Sequence, residues 1–510
     1  MLTRYIERIL RARVYEAAVE TPLDYAPVLS RRLRNDVYLK REDLQPVFSF
    51  KIRGAYNKIT QLSEAERQQG VIASSAGNHA QGVARAAQML GIAALIVMPK
   101  TTPAIKVNAV RAKGADIVLH GDSYDDAYQH AQTLAASNGM TFVHPYDDPD
   151  VIAGQGTLAM ELLRQKSGAL DAVFVPVGGG GLLAGITAYI KFVQPKVKII
   201  AVEPEDSNCL QQALQAGKPV RLDRVGLFTD GVAVRQIGAE PFAVVKSHVD
   251  QVVTVSTDEI CAAIKDIFDD TRSIAEPAGA LALAGLKRYV EAGQLQGQQL
   301  VAITSGANMN FDRLRYVAER AQVGEQQEIL LAVTIPETPG SFLKFCRLLG
   351  GRGITEFNYR YADPGHAHIF VGLTSTGGAD DRARLLATLQ SESFPVIDMT
   401  QNELAKEHFR YMVGGHATVP LAERLYDVQF PERPGALLDF LEVLGARWNI
   451  SLFHYRNHGA AFGRVLMGVQ IQDAETAMFC QYMDQSGFAY SEQTGNPAYT
   501  LFAGWMNVKE

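Results

Sequence analysis

The feature that most constrains this chain is a long alternation of strand-like and helix-like segments that stops abruptly near residue 320. From about residue 36, short β-branched runs take turns with helical patterns: VIASS precedes HAQGVARAAQMLG, AALIVMP precedes a helical stretch to Lys113, and ADIVLHG follows. DAVFVPV, LLAGITAYIKF, VKIIAVE, a helix around 257–270 and LVAITS continue the series. Such alternation builds parallel sheets covered by helices on both faces. In these sheets chemistry sits in the loops at the carboxyl ends of strands.

Beyond Arg320 the pattern changes. RAQVGEQQE is polar and Gln-rich, as a linker would be, and the chain then repeats itself. IPETPGSFLKFCRLLG begins at 335 and FPERPGALLDFLEVLG at 430, an offset of 430 − 335 = 95. FNYR at 357 and FHYR at 453 follow at 453 − 357 = 96. Two matched blocks in the same order, one indel apart, indicate duplication. Each copy reads as strand, Pro-Gly turn, amphipathic helix and strand, with AHIFVGLT or RVLMGVQI as a further strand. A unit so small has little core of its own, so the two are expected to pack together. The expected organisation is a catalytic region over 1–320, with a smaller subdomain at about 42–145 inserted in a larger one, a linker at 321–328, and repeats at 329–401 and 424–496.

Composition removes several classes of function. The balance of 49 basic and 55 acidic residues gives 49 − 55 = −6, which offers no attraction for nucleic acid or an anionic membrane. Four cysteines (Cys209, Cys261, Cys346 and Cys480) lie far apart without a CxxC pair, which fits reduced thiols in the cytoplasm. The amino-terminal segment is charged throughout and has no apolar core of a secretory signal; its spacing fits an amphipathic surface helix. The uncharged stretch 172–190 is broken by Pro176 and four glycines, against a membrane helix.

Four motifs could carry chemistry, and each has an ordinary explanation alone. Lys51 in SFKIRGAYN lies among apolar and aromatic residues, where desolvation favours a free amine able to act as nucleophile or Schiff-base partner; most lysines are simply solvated. SSAGNHAQG (74–82) joins a strand to an apolar helix, and small residues there offer backbone N–H groups to a carboxylate or phosphate. Asn78 adds a neutral donor, whereas His79 fits a packed or capping histidine better than a metal ligand. VPVGGGGLLAG (175–185) lets the backbone approach an anion closely, without the Lys-Ser/Thr of a Walker loop. Gly179-x-Gly181-x-x-Ala184, with Glu203 ending the next strand, also satisfies a loose dinucleotide fingerprint, so a nicotinamide-dependent oxidoreductase stands as an alternative. Ser305 in SGANMNF (305–311) is either a helix cap or a partner for a cofactor ring nitrogen.

Together, in this order, SFKIRGA, SSAGNHAQG, GGGGL and SGAN resemble the fold-type II pyridoxal-phosphate enzymes, and among them the serine/threonine dehydratases. The duplicated tail is similar to that of the long threonine-deaminase branch and absent from short dehydratases. The resemblance implies two open, mostly parallel sheet subdomains (an α/β catalytic part) followed by two α+β ACT-like domains. It implies pyridoxal 5'-phosphate as cofactor, with Lys51 forming the internal Schiff base and Phe50 packing against the ring. Asn78 would bond the ring hydroxyl, Ser305 would meet the ring nitrogen, and Gly178, Gly179, Gly180, Gly181 and Leu182 would cradle the phosphate. Ser75, Ala76, Gly77 and His79 would hold the substrate carboxylate. EPAGA (276–280) also matches, without a role for Glu276.

The implied reaction is β-elimination of water from L-threonine to give 2-oxobutanoate and ammonia, the first committed step toward isoleucine. A serine at the ring nitrogen should leave the pyridine largely unprotonated, a weaker electron sink that favours prompt elimination over transamination. Racemases of the group carry a serine where this chain has Ala76, so elimination is expected to dominate. Gly226 stands where some relatives place an acidic metal ligand, so no divalent metal is expected. By the same resemblance the tail binds isoleucine as inhibitor and valine as its opponent. Tyr359 and Tyr455, each followed by an arginine, are the equivalent effector-binding candidates. Oligomerisation or simple packing is the alternative role for the repeats, and a non-catalytic amino-acid sensor the alternative for the whole chain. A cytoplasmic homotetramer completes the implied picture.

Overall fold

The computed structural model describes residues 2–336, 341–350, 352–360, 366–375, 377–411, 422–431, 440, 447–448, 450–456 and 462–502. The Pro-Gly turns of both repeats lie outside the described residues. The chain divides into two units, with the break between Ala321 and Gln322.

In the first unit the strands are β1 (Leu23–Tyr25), β2 (Asp36–Arg41), β3 (Val71–Ser74), β4 (Ala94–Met98), β5 (Asp116–Leu119), β6 (Thr141–Phe142), β7 (Ala172–Pro176), β8 (Lys198–Pro204), β9 (Gln251–Val255) and β10 (Gln299–Thr304). They form a six-stranded sheet in the order β1-β2-β10-β7-β8-β9 and a four-stranded sheet in the order β5-β4-β3-β6. All neighbours run parallel except β1, which is antiparallel to β2. The sequence dictates this: β7 is buried at every position, as a strand covered on both faces must be. One face of the large sheet packs on helices Pro149–Gln165 and Gly181–Val193 and the other on Thr257–Thr271 and Pro277–Gly293. The amino-terminal helix Leu2–Leu10 buries Tyr5, Ile6 and Ile9, as its amphipathic spacing implied.

The helix that begins at Lys51 is anchored by a charge cluster with no solvent exposure. Arg53 donates to Glu42 at 2.8 Å and to Glu161 at 2.5 Å, and Lys40 donates to Glu161 at 2.7 Å; all four side chains are 0% exposed. Removing one member would strand an uncompensated buried charge, at a cost of about 3–5 kcal/mol. Gly54 and Gly154 let this helix and helix Pro149–Gln165 touch backbone to backbone, since a Cβ on Gly154 would lie 2.7 Å from the Gly54 Cα.

The second unit repeats one design. β11 (Glu328–Pro336), β12 (Ile354–Arg360), β13 (His366–Thr374) and β14 (Val396–Asp398) form an antiparallel sheet in the order β12-β13-β11-β14. β15 (Glu423–Pro431), β16 (Ile450–Arg456), β17 (Phe462–Gln470) and β18 (Tyr490–Glu492) form its counterpart, ordered β16-β17-β15-β18. Even the irregularity is copied: a register shift between Ile354 and Glu356 recurs between Ile450 and Leu452. Leu330, Ala332 and Phe370 of the first copy share a core with Leu425 and Leu466 of the second, so the two copies do pack on each other. The polar stretch read as a linker is mostly ordered structure. Helix Arg313–Gly324 runs into it because Val317, Ala321 and Val323 are apolar and buried, and β11 begins at Glu328.

Candidate active site

Three of the four motifs follow strands at their carboxyl ends: Ser75–Gly77 after β3, Val177–Gly180 after β7, and Ser305–Asn308 after β10. The fourth, Lys51, opens its helix beside them. Backbone bonds tie two of the segments together: the Phe50 N–H donates to the Ser305 carbonyl at 3.3 Å and the Ala307 N–H to the Phe48 carbonyl at 2.9 Å.

Lys51 Nζ donates to the Pro145 carbonyl at 3.0 Å and lies 5.2 Å from the centre of the Phe50 ring. Burial strips the ammonium of water and brings its pKa down to about 8, against the opposing pull of the Glu276 carboxylate. A free-amine fraction of about a tenth therefore exists at pH 7, far above that of a solvated lysine. Phe50 itself leans on the core of the large sheet.

His79 is buried, and its Nε2 meets the Val143 carbonyl at 2.8 Å, so that nitrogen carries the proton. Burial, then Lys51, pushes its pKa down to about 3. The ring is a neutral packed group, and only its backbone could face a carboxylate. Ser75 and Gly77 form a tight turn, with the Gly77 N–H donating to Ser75 Oγ at 3.2 Å. A Cβ on Gly77 would meet nothing within 4 Å, so open space adjoins this helix N-terminus.

The glycine run turns into helix Gly181–Val193 through Gly180, whose φ of 90° is the left-handed region only glycine enters without strain. The first N–H groups of a helix have no partner within it and point outward. Glu203, the acid of the dinucleotide fingerprint, is committed elsewhere. Its carboxylate accepts from the Leu210 N–H at 2.8 Å and the Gln211 N–H at 2.9 Å, capping helix Cys209–Ala216. It is 0% exposed and has no oxygen to offer a ribose.

Ser305 is buried and its hydroxyl donates to the Ala278 carbonyl at 3.1 Å. Asn78 Nδ2 donates to Glu276 at 2.5 Å, and Asn78 Oδ1 accepts from Asn308 at 2.7 Å. Tyr359 and Tyr455 occupy matching positions, paired with Ile369 and Val465 on the neighbouring strands, but their side chains lie outside the described residues.

Several contributors were not assigned from sequence. Asn308 stood within a quoted motif without a role. His144 accepts from the Asp147 N–H at 2.8 Å and holds Tyr146 edge-on at 4.7 Å, while a Cβ on Gly179 would collide with the Tyr146 ring. No periodicity marks the His144 segment. Asp230 joins Lys106 at 2.6 Å and Arg313 at 3.3 Å across the cleft. Although burial opposes it, those cations hold its carboxyl well below the usual range.

Comparison with known proteins identifies the family. Residues 14–306 match the family described as pyridoxal-phosphate dependent enzyme, and 319–409 and 414–503 each match the C-terminal regulatory domain of threonine dehydratase. The chain is 56% identical over 501 residues to the biosynthetic L-threonine dehydratase of Burkholderia multivorans, covering 98% of this chain and 99% of that one. The Escherichia coli K12 biosynthetic L-threonine dehydratase is 54% identical over 498 residues, covering 98% and 96%. Among solved structures, the processed threonine deaminase isoform 2 of Solanum lycopersicum superposes with a TM-score of 0.62 at 49% identity, over 63% of this chain and 93% of that one.

The chain therefore belongs to the fold-type II pyridoxal-phosphate-dependent enzymes. Within them it is a member of the biosynthetic threonine dehydratase family, with two C-terminal regulatory domains. The family settles the choice against a nicotinamide enzyme. The cleft fits pyridoxal phosphate on its own terms: a largely desolvated lysine amine, a glycine turn at a helix N-terminus, a half-buried amide and a buried hydroxyl are supplied by loops of the two sheets.

Proposed function

We propose that this chain converts L-threonine to 2-oxobutanoate and ammonia by β-elimination of water, the first committed step toward isoleucine, under feedback control by isoleucine. The observation that carries the reading is the half-buried Lys51 amine, held by the Pro145 carbonyl, together with the glycine turn, Asn78 and Ser305. Bound pyridoxal phosphate supplies the electron sink that makes a Cα proton removable.

This chain's residues supply the rest. Lys51 would hold the cofactor, and its amine, when free, is the base placed to take the Cα proton, which departs with the β-hydroxyl as water. The N–H groups of Gly178, Gly179, Gly180, Gly181 and Leu182 would hold the phosphate at the helix N-terminus. Ser75, Ala76, Gly77 and the backbone of His79 receive the substrate carboxylate, with open space beside Gly77 to admit it. Ser305, whose hydroxyl donates to the Ala278 carbonyl, would meet the ring nitrogen, and Asn78 would donate to the ring oxygen. Ala76 offers no acid on the opposite face, which favours elimination over racemisation.

The regulatory copies bind isoleucine and valine through the segments that hold Tyr359 and Tyr455, and the enzyme works as a cytoplasmic homotetramer. No helix among the described residues is long and apolar enough to cross a membrane. The functional regions are 1–320 for catalysis and 329–401 with 424–496 for regulation. The test is product analysis with pyridoxal phosphate as sole cofactor. Equimolar 2-oxobutanoate and ammonia from L-threonine are expected; a purified holoenzyme that yields neither would overturn the reading.

A further inference from the structure

Glu276 belongs to no motif with an assigned role, yet it is buried in the wall of the cleft. It precedes helix Pro277–Gly293, its N–H donates to the Gly306 carbonyl at 3.1 Å, and a Cβ on Gly231 would approach Oε1 to 4.0 Å. What it does follows from a chain of hydrogen bonds whose direction is forced. The chain starts at the Val47 backbone carbonyl, which can only accept. Asn308 must therefore turn Nδ2 toward it, at 2.9 Å, and the same Nδ2 donates its second hydrogen to Asn78 at 2.7 Å. That contact requires the Asn78 oxygen to face Asn308. The Asn78 Nδ2 then faces Glu276 at 2.5 Å and needs an acceptor there. An amide in this arrangement has one hydrogen left to donate.

We propose that Glu276 is a positioning residue: as terminal acceptor of the relay Val47–Asn308–Asn78, it fixes the Asn78 amide so that its remaining hydrogen points at the ring oxygen of the bound cofactor. The proposal rests on the pyridoxal-phosphate site described above. The carboxylate is also the charge that pulls on the Lys51 amine. Around Glu276 stand Asp230, Lys106 and Arg313, with Asn78 and Lys51. Burial, reinforced by Asp230, lifts its pKa to about 7, against Asn78, Lys106 and Arg313. Its charge therefore changes within the working range, and through it both the strength of the Asn78 donor and the proton affinity at the Lys51 nitrogen.

The experiment titrates the visible absorption band of the holoenzyme against pH, and measures the dissociation constant of pyridoxal phosphate, in the parent, Glu276→Gln, Glu276→Ala and Asn308→Ala. Gln keeps an acceptor oxygen but removes the charge. Cofactor affinity should stay within about twofold while the midpoint of the band falls by about one pH unit, a tenfold loss of proton affinity. Ala removes the acceptor as well, and cofactor affinity should fall roughly fivefold to tenfold, the loss of one hydrogen bond. Asn308→Ala breaks the relay and leaves the charge, so affinity should fall with the midpoint unmoved, which keeps the test decisive if Glu276→Ala fails to fold. An unchanged midpoint in Glu276→Gln, or unchanged affinity in Asn308→Ala, would overturn the proposal. A parent protein that shows no visible band with pyridoxal phosphate would instead overturn the cofactor site itself.

Discussion

The two units bury polar groups for opposite reasons. In the first, the groups that meet come from distant points of the chain: Asn78, Glu276 and Asn308 span three segments, and Lys40, Glu42, Arg53 and Glu161 lock the helix beneath Lys51. In the second, one pattern is written twice, and equivalent positions have been given different partners. Glu328 opens β11 and pairs with Arg410 at 3.1 Å and Thr355 at 2.5 Å, whereas Glu423 opens β15 and accepts from the Tyr499 hydroxyl. Duplication preserves a frame, while the surroundings of equivalent groups within it differ: Glu328 is buried and Glu423 is half-buried. A catalytic cleft cannot be built by repetition, because each group there does a different job.

Four measurements would break or sharpen that contrast. The largest effect belongs to Lys51→Ala, which should remove the visible band and lower turnover by at least about 10²–10⁴-fold. Isoleucine binding measured by calorimetry should persist in the same variant; joint loss of both would erase the distinction between the units. Next, Arg53→Met leaves Glu42 and Glu161 buried with too little positive charge, and the chain should lose about 3–5 kcal/mol of stability in denaturant unfolding. A loss below about 1 kcal/mol would reduce the cluster to surface-like importance.

Third, apoprotein freed of cofactor should capture pyridoxal phosphate with a pH midpoint near 8. The sign follows from the attack requiring the neutral amine: burial lowers the lysine pKa, so capture persists to lower pH than for a solvated lysine. A midpoint near the ordinary lysine value would show that Lys51 is solvated. Finally, Glu328→Gln should cost about 1.5–3 kcal/mol in thermal unfolding, because Arg410 loses a charged partner; a loss below about 0.5 kcal/mol would make that pair energetically unimportant.

Much of this was legible in the sequence. The strands and helices of the first unit were marked by continuous apolar runs and helical spacing, because a parallel sheet covered on both faces has no other way to be encoded. The repeat was legible because its two matched blocks keep their order and their offset changes by a single residue, from 95 to 96. Lys51, Asn78, the glycine turn and Ser305 could be singled out because each lies in a distinctive local string. What escaped has a common cause. Arg53 sits in the same string as Lys51 but, as an isolated arginine, reads as solvated; only the fold brings two glutamates to it. Asn308 and Glu276 acquire meaning only when the loop after β10 and the cap of helix Pro277–Gly293 face Asn78. Glu203 matched a fingerprint by position, yet its carboxylate caps a helix. The polar stretch after Arg320 reads as a tether because its few apolar residues, Ala321 and Val323, are sparse, although both are buried.

The central claim is that one unit catalyses elimination while the duplicated unit senses the end product. Its most direct test is the rate of 2-oxobutanoate formation from L-threonine as isoleucine is titrated into the holoenzyme, with and without valine. The account predicts steady turnover that isoleucine suppresses and valine restores. Turnover indifferent to isoleucine at every threonine concentration would contradict it.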